Sequence, residues 1–247
     1  MLKLDSNNTK PKRPPHLVIM DGFYTFIIEQ FYIPLYFVVW LVAVIRYRSY
    51  FDTPLKYFPI YLMYTFLTEL LGYFIKYHDQ FQFFSEEEYS WHNVIIYNIY
   101  SVVTALFFYY IYWRVLTIEK HKNWIKYVTA TSLLGYMVSL FFQDPFHMNL
   151  YYADLLASLL LLFVITIYFR EQRLAQAAYP RRYNLMFWIS FGLAGFHAVF
   201  PFLFLIAYEA PHIWAEFQLR NVLKVFIVFM YGSFFVGFLL SKRKAFN

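Results

Sequence analysis

Seven apolar stretches, each about the length needed to cross a bilayer, fill most of the 247 residues of this chain. A membrane-crossing helix takes roughly 20 mostly apolar residues, since each residue rises ~1.5 Å and the hydrocarbon layer is about 30 Å thick. The spans are read as Phe23–Ile45, Lys56–Tyr77, Trp91–Leu116, Trp124–Phe142, Leu150–Phe169, Leu185–Tyr208 and Phe217–Leu240. The expected fold class is all-α: a polytopic integral membrane protein, one seven-transmembrane helix bundle over residues 23–240. A polar N-terminal tail, residues 1–22, precedes it, and a short basic tail, residues 241–247, follows. Membrane β-barrel strands are only about 9–11 residues long, so that architecture is excluded.

Composition agrees. The hydrophobic fraction is 61% and the charged fraction 15%, against about 45–50% and about 25% in an average soluble domain. Aromatics reach 25%, with 31 Phe and 25 Tyr. In lipid, Phe can face acyl chains while Tyr and Trp sit at headgroup level. The chain has no cysteine, which excludes disulfides, cysteine-ligated metals and thiol nucleophiles. The opening MLKLDSNNTKPKRPPH lacks the basic-then-apolar layout of a cleaved signal. Insertion is expected to rely on the first span.

Basic residues concentrate in alternate connections. Arg46, Arg48 and Lys56 follow the first span; Arg114, Lys120, Lys122 and Lys126 lie between the third and fourth; Arg170, Arg173, Arg181 and Arg182 lie between the fifth and sixth; Lys242, Arg243 and Lys244 end the chain. The positive-inside rule places these segments in the cytoplasm, so the N-terminus is expected outside and the C-terminus inside. The N-terminal tail, with Lys3, Lys10, Lys12 and Arg13, dissents and is outvoted. Glu86, Glu87 and Glu88 then form a solvated outer loop. The basic residues are spread over short loops rather than gathered on one face, so nucleic acid is not an expected partner.

The polar residues inside the spans carry the functional signal. A charge at the bilayer centre costs on the order of 2.5–3.5 kcal/mol even on the lenient insertion scale. Glu29 lies in the first span, Glu69 in the second, Asp154 in the fifth, His197 in the sixth and Lys224 in the seventh; the third adds His92, Asn93 and Asn98. With the expected orientation nearly all fall in the outer half. Steps of three and four place Tyr61, Thr65, Glu69, Tyr73 and Lys76 on one face of the second span, and Asn93, Tyr97, Tyr100 or Ser101, and Thr104 on one face of the third. Thr129, Ser132, Tyr136, Ser139 and Gln143 do the same in the fourth, and Tyr151, Asp154 and Ser158 in the fifth. The expected picture is an outward-facing polar pocket built on Glu69, Asn98, Asp154 and His197. Glu29 and Lys224 shape its rim, Tyr73 and Tyr97 line it, and Phe and Leu close it below.

Plainer readings compete. Hydroxyls and amides inside bundles often only bond neighbouring helices, at about 0.6 kcal/mol each. Lys76 and Arg220 can snorkel to the interface. Glu29 or Asp154 can pair with Lys224 or Arg220 as structural glue, and His197 can be a packing histidine. Pro34 and Pro201 are expected to kink their helices.

Three chemistries meet specific obstacles in this sequence. A retinal protein needs a lysine deeper in the last span than Lys224 and a carboxylate that the third span lacks. A metallohydrolase would draw His92, Glu69, Asp154 and His197 from four helices with no paired spacing. A small-molecule or proton-coupled transporter suits the acids, but no inverted repeat is visible.

Glu69, the run Asn93, Tyr97, Asn98 and Tyr100, and NLMFWISFG from Asn184 to Gly192 resemble an uncharacterised family of small seven-helix bacterial inner-membrane proteins. The resemblance covers about Glu69 to Lys242. It implies a fold and a bacterial inner membrane, and no activity. The expected function is a receptor-like or sensory membrane protein taking a small-molecule or lipid ligand. With seven residues after Leu240, a signal is expected to pass through a separate cytoplasmic or membrane partner. An intramembrane hydrolase on a lipid-like substrate, or a transporter, is the alternative. No cofactor or metal is assigned.

Overall fold

The computed structural model describes residues 29–81, 93–174 and 180–243. Among them the long elements are α1 (Tyr32–Ile45), α2 (Phe58–Tyr77), α3 (Val94–Val115), α4 (Glu119–Ser139), α5 (Tyr151–Leu174), α6 (Leu185–Glu209) and α8 (Leu219–Leu240). A short α7 (Pro211–Glu216) and several 3-10 turns join them, and no strand occurs among the described residues. Five helices are long and apolar enough to cross a membrane: α2 with the turn before it, α3, α5, α6 and α8. By length and composition the chain is a helical, multi-pass membrane protein.

The remaining two spans depart from the sequence reading. Helix α1 covers Tyr32–Ile45, 14 residues; residues 23–28 of the expected first span lie outside the described ones. At ~1.5 Å per residue it is shorter than the roughly 30 Å hydrocarbon layer. Helix α4 begins at Glu119 rather than Trp124, and its first turns carry Glu119, Lys120, Lys122 and Lys126. A charged N-terminal half lowers its hydropathy below that of a plain span. The N-terminal tail and residues 244–247 of the C-terminal tail lie outside the described residues, as do Trp91 and His92 of the third span.

Local chemistry sets several starts. Asn184 Oδ1 accepts the Met186 N–H at 2.9 Å and caps α6. Thr53 Oγ1 accepts the Leu55 N–H at 3.2 Å, with Pro54 at the first position of the turn leading into α2. Pro34 is the third residue of α1, where its missing N–H is one of the donors a helix start leaves unused. The expected mid-span kink there does not apply. Pro201 does lie inside α6, so the His197 carbonyl receives no helical bond from it.

The core is aromatic. Phe58, Phe108, Phe234 and Phe238 are fully buried, with Tyr109, Tyr112 and Tyr231 beside them. Two of the buried hydroxyls tie helices together: Tyr109 donates to the Ala157 carbonyl at 2.9 Å and Tyr112 to Ser190 Oγ at 2.8 Å. Outward, the chain is apolar as well, with Phe141 84% and Val225 65% exposed. Those surfaces suit acyl chains rather than water.

The basic segments meet at one end of the bundle. Arg46 Nε donates to the Phe238 carbonyl at 3.1 Å, and its Nη2 donates to the carbonyls of Leu239 at 3.3 Å and Ser241 at 3.1 Å. A guanidinium thus satisfies carbonyls that the C-terminus of α8 leaves open, where a cation is favoured. Arg243 pairs with Asp52 at 2.8 Å, and the Lys242 ammonium lies 4.2 Å over the Tyr183 ring.

Helices α6 and α8 approach through small residues, as membrane helices commonly do. A methyl group at Gly192 would stand 2.8 Å from the Met230 carbonyl oxygen, and one at Gly237 would stand 2.7 Å from Trp188 Cβ. Backbone cannot swing aside as a flexible side chain can. Gly192→Ala is expected to cost about 2 kcal/mol of stability, read as a lowered thermal midpoint in nanodiscs. Gly232→Ala, where an added methyl meets nothing within 4 Å, is expected to hold or raise the midpoint, since alanine favours helix by about 1 kcal/mol. Equal losses in both variants would contradict the close seam.

Candidate functional site

The up-and-down order of the helices brings the C-terminal half of α2, the starts of α3, α5 and α8, and the later half of α6 to one end of the bundle. There they surround a cavity of about 390 Å³. That size falls within the roughly 300–1,000 Å³ common for small-molecule sites. Its deeper wall is apolar, with Leu161, Leu193, Phe196 and Ile227, and its polar wall holds Glu69, Asp154, His197 and several tyrosines.

Glu69 sits on α2 and accepts a hydrogen bond from the Tyr97 hydroxyl at 3.1 Å. Tyr97 reaches it because Gly72 is one turn further along α2: a methyl there would strike the Tyr97 hydroxyl. Asn93 Nδ2 closes the same α2–α3 seam by donating to the Gly72 carbonyl at 2.9 Å. Below, Tyr100 shares its hydroxyl with Tyr61 and Thr65, each at 3.2 Å. Asp154 on α5 accepts from Tyr136 of α4 at 2.7 Å. One turn on, Ser158 Oγ meets His197 Nδ1 of α6 at 2.9 Å. Each ionisable group is thus held by a hydroxyl from a neighbouring helix and keeps further hydrogen-bonding capacity.

Helix α8 supplies the cations. Lys224 lines the cavity, with its ammonium 5.8 Å over the Phe31 ring. Arg220, one turn earlier, lines both this cavity and a second one of about 200 Å³ that also touches Glu69, Tyr73 and Tyr97. Between α5 and the end of α6, Glu209 accepts from the hydroxyls of Tyr151 at 2.8 Å and Tyr152 at 2.7 Å, and Asn149 Nδ2, on the cavity wall, donates to Tyr208 at 2.6 Å.

Of the residues expected at the pocket, Glu69, Tyr97, Asp154, His197 and Lys224 line the main cavity, and Tyr73 lines the smaller one. Asn98 and Glu29 line neither. Glu29 is exposed before α1. Asn98 is buried and committed elsewhere: its Nδ2 donates to the carbonyls of Pro145 at 2.8 Å and Met148 at 3.1 Å, and its Oδ1 accepts the Leu150 N–H at 3.0 Å. It pins the α4–α5 loop onto α3. In that loop, His147 and then the Phe146 N–H hold the Asp144 carboxyl below the ordinary carboxylate range. Arg220 is the residue the sequence reading missed, taken there as a snorkelling side chain. Arg220, Lys224, Ile227 and Tyr231 follow a three-and-four spacing on the cavity face of α8, which was the available signal.

His92 lies outside the described residues. Among the described residues no group of three or more His, Asp or Glu is placed to hold a metal ion. What the arrangement offers is hydrogen bonding, charge and apolar contact.

Asn98→Ala strips two carbonyls and one N–H of their partner. The expected loss is about 2–3 kcal/mol, read as a lowered thermal midpoint, with binding by the folded fraction unchanged.

Comparison of the chain with protein-family models, curated proteins and solved structures finds no match.

Proposed function

We propose that the chain is a seven-helix receptor-like protein of a bacterial cytoplasmic membrane, with its N-terminus outside and its C-terminus in the cytoplasm. Its cavity takes a small molecule or lipid from the outer side, and its basic end meets a separate partner protein. The observation that carries this reading is the convergence of Glu69, Asp154, His197 and Lys224, from four helices, on one cavity. Ionisable groups at membrane depth are costly, and where they gather they mark a functional site by default. The orientation rests on Arg46, Lys242 and Arg243 meeting at the end opposite the cavity. With that end inside by the positive-inside rule, the cavity faces out.

One contact favours a second reading. Ser158 beside His197 is a hydroxyl next to a base, the pairing that nucleophilic catalysis uses. Asp154, the nearest acid along α5, accepts from Tyr136 through Oδ1, and among the described residues the hydrogen bond shown for His197 is the one to Ser158. Covalent labelling of Ser158 by a fluorophosphonate, lost in His197→Asn, would favour a hydrolase over a receptor.

Native mass spectrometry after extraction in a mild detergent tests the receptor reading. A single small molecule or lipid at stoichiometric ratio is expected, and a cavity-filling Leu193→Trp variant that stays folded is expected to lose it. A bare protein, or equal lipid on both variants, would contradict the reading.

A further inference from the structure

Two acids and two cations line the same cavity without pairing with one another. Glu69 and Asp154 come from α2 and α5, and Arg220 and Lys224 from α8. Among the described residues the ion pairs are His121 with Glu171, Lys122 with Glu119, His147 with Asp144 and Arg243 with Asp52. Among the described residues, none of the four cavity charges comes within 4.0 Å of an opposite charge. Glu69 instead holds one tyrosine hydroxyl, and Lys224 rests over a phenyl ring.

Charges held apart across a cavity are a poor way to stabilise a bundle, since a membrane-embedded charge gains most from a direct partner. They make a good template for a molecule that carries both signs. We infer that the cavity binds a zwitterion: an ammonium group at Glu69 and an anionic group at Arg220 and Lys224, with an apolar portion against Leu193, Phe196 and Ile227. This inference rests on the reading of the cavity as a ligand site.

The surroundings fit both ends. Tyr32, Tyr36 and Tyr97 line the cavity together with Glu69. Aromatic faces beside a carboxylate are the usual setting for an ammonium group. A guanidinium and an ammonium one turn apart suit a carboxylate or phosphate. A ligand with one charge leaves a mismatch: a plain anion meets Glu69, and a plain cation meets Arg220 and Lys224. Two sources share the required chemistry, a lipid with an ethanolamine phosphate headgroup and a free apolar amino acid.

The test uses the full chain in nanodiscs and four probes: lauroyl lysophosphatidylethanolamine, its N-acetyl derivative with the anion alone, dodecylamine with the cation alone, and free L-phenylalanine. At least one zwitterion is expected to bind about tenfold or more tighter than either single-charge amphiphile, a margin of about 1.4 kcal/mol. Glu69→Gln is expected to erase the preference over the N-acetyl lipid, and Lys224→Met the preference over dodecylamine. Preference for the lysolipid alone points to a lipid headgroup, and binding of phenylalanine points to a free zwitterion. Equal binding of all amphiphiles, tighter binding of a single-charge probe, or a preference that survives both substitutions would overturn the inference while leaving a ligand site in place. Binding of no probe would overturn this inference and count against the ligand-site reading. Should a variant fail to fold, the probe ranking on the unaltered protein decides.

Discussion

In a hydrocarbon layer no water satisfies a buried hydroxyl, carboxylate or carbonyl, so each must find its partner inside the protein. Among the described residues, tyrosine does this at both acids of the cavity. Tyr97 holds Glu69 and Tyr136 holds Asp154, each across a helix boundary. Tyr109 and Tyr112 tie α3 to α5 and α6 through the Ala157 carbonyl and Ser190. The ring supplies apolar packing and the hydroxyl supplies one directed bond, so a single side chain serves core and polar interior together. These bonds hold the two acids on α2 and α5, on the wall of a cavity that α8 lines with Arg220 and Lys224.

Much of the fold was legible in the sequence, for a definite reason. The apolar runs of the second, fifth, sixth and seventh spans match α2, α5, α6 and α8 to within a few residues at nearly every boundary, since helix length and bilayer thickness are tied by fixed geometry. The fourth run misled because α4 continues helical through Lys120, Lys122 and Lys126, and charge lowers hydropathy without breaking a helix. The early part of the first span falls on residues outside those described.

The site was legible by residue type and helical face, and less so by partner. Glu69, Asp154, His197 and Lys224 stood out because an ionisable group in an apolar run needs a cause. Asn98 stood out equally, but its partners Pro145, Met148 and Leu150 lie about fifty residues along the chain. No local pattern separates an amide that pins a loop from one that waits for a ligand. Arg220 went the other way: near a helix end it reads as snorkelling, although its three-and-four spacing with Lys224, Ile227 and Tyr231 puts it on the cavity face of α8. Ser158 and His197 are 39 positions apart, so their contact needed the α5–α6 geometry to appear.

The central claim is that a polar, water-reachable cavity lies inside the bundle, facing away from lipid. The chain has no native cysteine, so single cysteines can probe it with a charged, membrane-impermeant thiosulfonate. Ile227 lines the cavity, while Val225, two residues away at nearly the same depth, is 65% exposed on the outer surface. The account predicts fast modification of Ile227→Cys and slow modification of Val225→Cys in nanodiscs. Equal rates, or faster modification at Val225→Cys, would contradict it.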